Sequence, residues 1–293
     1  MDSPLKRLGA DPECKTAGIC GANSYNIGRP LAQLVHFFWS VFRAQDMFGL
    51  SDVTPIDIVI PTGAMGNMTA CYMAKKCGLP VGMMTAATNV NDITHRCFSE
   101  GDFSRCEMMQ KTLSDAINIQ VPYNMERVLY FASGRDSERI ASWYQGMESH
   151  GAIKVDSTFL LTLQEEFRSA RIDDETMCEE MRKYLQEFGY LCDPHTSVAV
   201  GAARMLGYMD EGGGKNANKA CVMATASPCK FEESVGIAIG KEGWREYRES
   251  SAYPGGGMGD GELAAVFERA SGDGAEETTV LWMSKVKELL LRN

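Results

Sequence analysis

The stretch Ile56-Asp57-Ile58-Val59-Ile60-Pro61-Thr62-Gly63-Ala64-Met65-Gly66-Asn67 decides the fold class. Its first five residues form a short β-branched run bounded by Pro55 and Pro61, which reads as a buried strand and not as a helix. Residues 67–77 then carry good helix formers and stop at Gly78, a residue that ends helices without backbone strain. From 79 to 87 the β character returns. Strand, glycine turn, helix and strand make one βαβ unit. Such a unit needs a parallel sheet with helices on its faces, and it places ligands at the carboxyl ends of the strands. The fold class is therefore α/β.

Upstream of this unit, Leu31, Leu34, Val35, Phe38, Val41 and Phe42 recur at helical spacing, which predicts a helix over 27–45 with Asn26 as its cap. Downstream, 92–189 is polar and helical in pattern, with acidic runs such as Asp173-Asp174-Glu175 read as solvated helix starts. A strand is expected over 220–226, and helices over 231–240 and 279–291. The glycine-rich stretches 211–215 and 254–259 lie between no strand and helix, so they read as loops.

The composition bounds the function. With 293 residues, 44% hydrophobic and 23% charged, the chain can bury a sizeable core. A formal charge of -10 argues against a nucleic-acid backbone or an anionic membrane surface as partner. The ten cysteines include no CxxC pair, so reduced, partly buried thiols are expected. Cys71, Cys77 and Cys97, with His36 and His95, lack metal-ligand spacing, and no metal is predicted. No signal peptide or transit peptide is visible, and no run approaches the roughly 18 apolar residues of a membrane span, so the expected location is the cytoplasm.

Between its strand and its helix, the segment Pro61 to Asn67 can aim backbone N–H groups and a helix N-terminus at a phosphate dianion, with Gly63 and Gly66 allowing close approach. A tight packing turn satisfies the same spacing. The loop lacks the Gly-Lys-Ser/Thr ending of a Walker A motif and the full dinucleotide fingerprint, which weakens a nucleotide reading in which Asp92 would contact a ribose.

The neighbouring segments narrow the choice. Asn23-Ser24-Tyr25-Asn26-Ile27, Leu31-Ala32-Gln33, Pro61-Thr62-Gly63-Ala64-Met65-Gly66-Asn67, Ala87-Thr88-Asn89-Val90-Asn91-Asp92, Asp193-Pro194-His195-Thr196 and Thr225-Ala226-Ser227-Pro228-Cys229-Lys230-Phe231 occur in this order. Together they resemble the threonine synthase family from about Gly21 to Val235, and Gly101-Asp102-Phe103-Ser104 looks closest to its animal threonine synthase-like phospholyases. The resemblance implies a partial fold-type-II (tryptophan-synthase-β-like) enzyme using pyridoxal 5'-phosphate. It places Thr62, Gly63, Ala64, Met65, Gly66 and Asn67 around the cofactor phosphate and Thr225 at the pyridine nitrogen, where a hydroxyl donates to an unprotonated ring.

Other matched residues carry open readings. Ser227 stands where the family usually has histidine, so that histidine's role is lost or reassigned. His195 reads as a residue that caps or orients the next helix. Asn89, Asn91 and Asp92 either line the ligand crevice or cap the helix that starts at Ile93.

The family's Schiff-base lysine lies well upstream of the Asn23-Ser24 motif, and neither Lys6 nor Lys15 stands in its context. No catalytic residue is therefore assigned. The expected organisation is a polar, loosely ordered lead over 1–20 and the carboxy-terminal part of a catalytic domain over 21–293. The parent activity implied is phosphate elimination from O-phosphohomoserine, giving threonine or 2-oxobutyrate, with this chain inactive alone. The competing reading is a non-catalytic truncated homologue, or a subunit that completes its fold with an amino-terminal partner chain or as a homo-oligomer.

Overall fold

A computed structural model describes residues 8, 11–18, 26–153, 155–210 and 218–250. Its centre is a four-stranded sheet of β1 (Ile56–Pro61), β2 (Val81–Thr88), β3 (Phe167–Arg171) and β4 (Ala220–Val222), in the order β3-β2-β1-β4 with all pairings parallel. Alternate side chains of β1 serve different layers, as the two-residue period of a strand requires. Ile56, Ile58 and Ile60 enter one apolar core with Phe37, Val41 and Met68, whereas Val59 enters the other with Val198, Ala199 and Ala202. Every residue of β1 is buried.

The first layer holds α2 (Gly28–Phe48), α3 (Gly66–Lys76), α4 (Ile93–Glu100), α5 (Met125–Ala132), α6 (Ser137–His150) and α7 (Ser157–Glu166), after a short leading helix α1 (Pro12–Thr16). The second layer holds α8 (Asp174–Phe188), α9 (Pro194–Met205) and α10 (Glu232–Glu249). Residues 194–203 of α9 are all buried, because its run of Ala, Gly, Ser and Val lets the helix lie close beneath the sheet. The cap position of α2 falls on Ile27 with no side-chain cap bond, so Asn26 does not cap the helix as expected; its Oδ1 instead accepts from the N–H of Gly28 at 2.9 Å just before it. That helix runs past residue 45 until Gly49 takes a left-handed conformation with φ 63°.

The sequence pattern misreads three places. The segment 92–189, read as helical, contains β3. Phe167 follows α7 directly with no glycine or proline between them, so only pairing with β2 reveals this five-residue strand. The strand expected over 220–226 ends at Val222, with one more bond from Met223 N–H to Val59 O at 2.9 Å. The helix expected over 231–240 continues to Glu249 across a break at Gly240, whose φ of 80° lies outside helical space. The glycine-rich stretches 211–215 and 254–259 and the helix expected over 279–291 lie outside the described residues.

Asp57 is a charged residue inside a buried strand, and its surroundings explain how it is tolerated. Its carboxylate accepts from Met83 N–H at 2.7 Å, the Tyr208 hydroxyl at 2.7 Å and Asn218 Nδ2 at 2.9 Å, so its charge is not left without donors. The Tyr208 hydroxyl is correspondingly hard to ionise, first because it is buried and then because it donates to a carboxylate. This nest leaves no room at Gly82, where a Cβ would lie 2.1 Å from Asp57 Oδ1 and 2.9 Å from Asn218 Nδ2. Gly82→Ala should therefore displace a fully bonded carboxylate and lower the unfolding free energy by about 2 kcal/mol. Urea denaturation measures this, and an unchanged midpoint would refute the role assigned to Gly82.

Candidate functional site

The glycine loop begins where β1 ends. Thr62 is pinned on both sides: its N–H donates to Ala87 O at 2.8 Å and its hydroxyl to Ile60 O at 2.7 Å. Both of its donors are therefore committed, and of the loop residues singled out from the sequence, Thr62 frames the turn without offering a donor to a ligand. The Ala64 carbonyl is drawn to the protein side by the backbone N–H of Asn124 at 3.0 Å and its Nδ2 at 2.9 Å. Among the described residues no acceptor takes the backbone N–H of Gly63, Ala64, Met65, Gly66, Asn67 or Met68.

These donors sit at the start of α3, which has no side-chain cap, so the positive end of the helix dipole faces the same place. Met65 holds the turn in a left-handed conformation with φ 61° and ψ 14°, a geometry costing a non-glycine residue roughly 1–2 kcal/mol. Two donors from Thr69, its N–H and its hydroxyl, each reach Met65 O at 2.9 Å and lock that conformation.

The opposite wall comes from two other elements. A 3-10 turn, Asp115–Ile117, presses on Gly63 so closely that a Cβ there would meet Ile117 Cα at 2.9 Å. Arg29 and Gln33, one turn apart on α2, complete a cavity of about 140 Å³ with the loop and Ala116. The volume matches a few water molecules, hence a phosphate-sized group. Arg29 is exposed and makes no ion pair among the described residues, while Gln33 Oε1 is buried without a partner. Among the described residues no lysine lines the cavity. Two larger cavities, of about 830 Å³ along α10 and about 670 Å³ beside α5 and α6, are lined by carboxylates, Glu232, Glu233 and Glu249 in the first and Glu126 in the second, which makes the smaller site, with no carboxylate among its described lining residues, the better anion cradle.

The polar residues after β2 act on the wall and not on the cradle itself. Asn89 Nδ2 donates to Thr112 Oγ1 at 2.9 Å, Ser114 Oγ at 3.0 Å and Asn118 Oδ1 at 2.7 Å. Asn91 holds Gln110 through both its backbone N–H at 2.8 Å and its carbonyl at 2.9 Å. Asp92 caps no helix with its side chain. It pairs with Arg96 at 3.0 Å and Arg171 at 3.3 Å, which removes it as a free ribose acceptor. Asp174, expected in a solvated helix start, instead accepts from Leu113 N–H at 3.0 Å.

Thr225 emerges beyond β4, and β4 pairs with β1, so it stands at the same end of the sheet as the loop. Its side chain is exposed, and its N–H donates to Thr196 Oγ1 at 3.2 Å. Ser227 accepts from Cys229 N–H at 3.3 Å and caps the turn Pro228–Lys230, a use for a short hydroxyl that a histidine ring would not serve in the same way. His195 caps nothing itself: Asp193 is the cap of α9, and His195 bridges it to Ala116. Asn67 Oδ1 meets His36 Nε2 at 3.0 Å, and His36 is held below its ordinary pKa by burial, partly offset by this bond. Motif reading passed over Arg29, Ala116 and Asn124. Arg29 lies within the Asn23 to Gln33 motif and Ala116 and Asn124 lie within the stretch Asp115 to Arg127 that also carries the resemblance, but the roles taken here, the backbone N–H of Ala116 and the Nδ2 of Asn124 on the Ala64 carbonyl, appear only when these segments pack on the loop.

No family model matches the chain. It is 34% identical over 239 residues to threonine synthase-like 2 of Mus musculus, a match covering 81% of this chain and 48% of that protein. It is 32% identical over 249 residues to threonine synthase of Saccharomyces cerevisiae, covering 80% and 47% respectively. Among solved structures, threonine synthase from Brucella melitensis with pyridoxal phosphate bound aligns with a TM-score of 0.72 at 31% identity, covering 82% of this chain and 49% of that one. The chain thus spans about half the length of the curated relatives it matches, and its parallel sheet flanked by helices is part of the fold-type-II architecture. The order of motifs, the shape and the sequence identity agree: the chain belongs to the threonine synthase family.

Proposed function

We propose that this chain supplies the phosphate-holding half of a pyridoxal 5'-phosphate site in an enzyme that eliminates phosphate from O-phosphohomoserine, and that the lysine of that site comes from sequence outside these 293 residues. The observation that carries the reading is the set of unpaired N–H groups from Gly63 to Met68 at the start of α3, facing Arg29 across a phosphate-sized cavity. Gly63, Ala64, Met65, Gly66 and Asn67 would hold the cofactor phosphate through their backbone, with the dipole of α3 adding attraction for the dianion. Thr225 would present its hydroxyl to the ring nitrogen from the end of the neighbouring strand. When bound, the cofactor supplies an electron sink for a substrate carbanion. The chain's own residues anchor and orient it, and proton transfer falls to a lysine that none of the described residues supplies at the cavity.

A second observation supports a partner half. Leu31, Val35, Trp39 and Phe42, on one side of α2, are 51%, 68%, 69% and 46% exposed, an apolar stripe at helical spacing. The edge strand β4 next to it is three residues long and only partly buried. The occupant proposed for this face is the half of the threonine synthase fold that the alignments with the relatives leave uncovered.

Three outcomes follow. The 293-residue chain mixed with pyridoxal phosphate and then borohydride should give no stoichiometric lysine adduct, whereas co-expression with the uncovered half of the mouse relative should give one. A site-specific adduct on the chain alone would overturn the split-site reading. Trp39→Glu should leave the chain folded yet abolish the co-purification of the two halves, and light scattering distinguishes that result from self-association. Gly63→Ala should weaken phosphate affinity at least about tenfold, since its methyl group meets backbone and not a movable side chain. Isothermal titration with inorganic phosphate reads this, and equal affinity would remove the loop from the site.

A further inference from the structure

The turn Asp115–Ile117 makes one wall of the cradle, and what fixes it lies in α9, whose apolar core Ile117 joins. The Ala116 N–H donates to His195 Nε2 at 3.1 Å. A backbone N–H can only donate, so Nε2 carries a lone pair and the ring proton sits on Nδ1, 2.8 Å from Asp193 Oδ1. Both side chains are buried, and Phe231 packs edge-on against the imidazole at 4.7 Å between ring centres. The other oxygen of the same carboxylate, Oδ2, takes the Thr196 hydroxyl, whose oxygen in turn accepts the Thr225 N–H at 3.2 Å.

We infer that Asp193 and His195 are positioning residues for the phosphate cradle, with one buried carboxylate setting two arms: neutral His195 holds Ala116 against Gly63, and Thr196 holds Thr225 at the neighbouring strand end. This rests on the phosphate-binding reading of the glycine loop. The two arms reach the cradle from its wall and from the end of β4, so the distance between phosphate donors and Thr225 is set by α9 and not by the loops themselves. Glutamine at position 195 can still accept from Ala116 through its amide oxygen, whereas alanine leaves that N–H without a partner.

The test is phosphate affinity of the full 293-residue chain, by isothermal titration with inorganic phosphate. His195→Ala should bind about tenfold more weakly, the scale of one lost hydrogen bond, and His195→Gln should stay within about threefold of the parent. Parental affinity in His195→Ala, or equal losses in both variants, would overturn the inference while leaving the cradle in place. A parent chain that binds no phosphate would sink the cradle and the inference together. If His195→Ala does not fold, nitrogen-15 spectra of the unaltered chain decide. An unprotonated His195 Nε2 coupled to the Ala116 amide supports the link, and a proton on Nε2 refutes it.

Discussion

The structure depends on β1 being enclosed on all sides. It pairs with β2 along one edge and β4 along the other, and its two faces feed separate apolar cores. Each fully buried aliphatic side chain on it contributes roughly 1.5–3 kcal/mol of stabilisation. A strand so enclosed cannot slide or tilt, because a one-residue slip would exchange the faces of every side chain. Pro61, its last residue, is therefore a fixed point from which the glycine loop is projected, and the loop inherits a precision that a surface turn would lack.

The loop itself is held against its own preference. Met65 is left-handed, and Gly63 lies in contact with the backbone of a turn from a distant part of the chain. That turn is anchored from several directions: Asn89 and Asn91 from the end of β2, Asp174 from α8, Ser234 Oγ donating to Leu113 O at 2.9 Å from α10, and His195 from α9. Strain at a site persists where the surroundings determine it from more sides than it can escape. The free N–H groups are the result. The protein uses the Ala64 and Met65 carbonyls and Thr62's donors internally and leaves the remaining donors lining one phosphate-sized space.

The same architecture leaves one helix with two unlike sides. A helix covering one end of the sheet would be expected to hide its apolar residues, yet α2 buries Phe37 and Val41 on one side and exposes Val35 and Trp39 on another. The exposed side borders the short edge strand, the place where a parallel sheet would accept another strand. The chain spans about half the length of the curated relatives it matches.

The βαβ unit, the glycine loop, the long helix before it and the family resemblance were all legible from sequence, because each depends on local pattern: β-branched runs between prolines, helix formers ending in glycine, and ordered motifs. The strand Phe167–Arg171 was not, since five residues with no flanking turn signal become a strand only when β2 offers its edge. The roles of Asp57, Asp174 and His195 were equally invisible. A buried carboxylate is stabilised by donors that converge from residues 83, 208 and 218, and an imidazole's tautomer is set by a backbone N–H 79 positions away in the chain. Local pattern encodes which elements form, because a helix or strand answers mainly to its own periodicity. Which donors and acceptors meet at the cradle is decided only when distant segments pack, because hydrogen bonds act over about 3 Å and carry no trace of sequence distance.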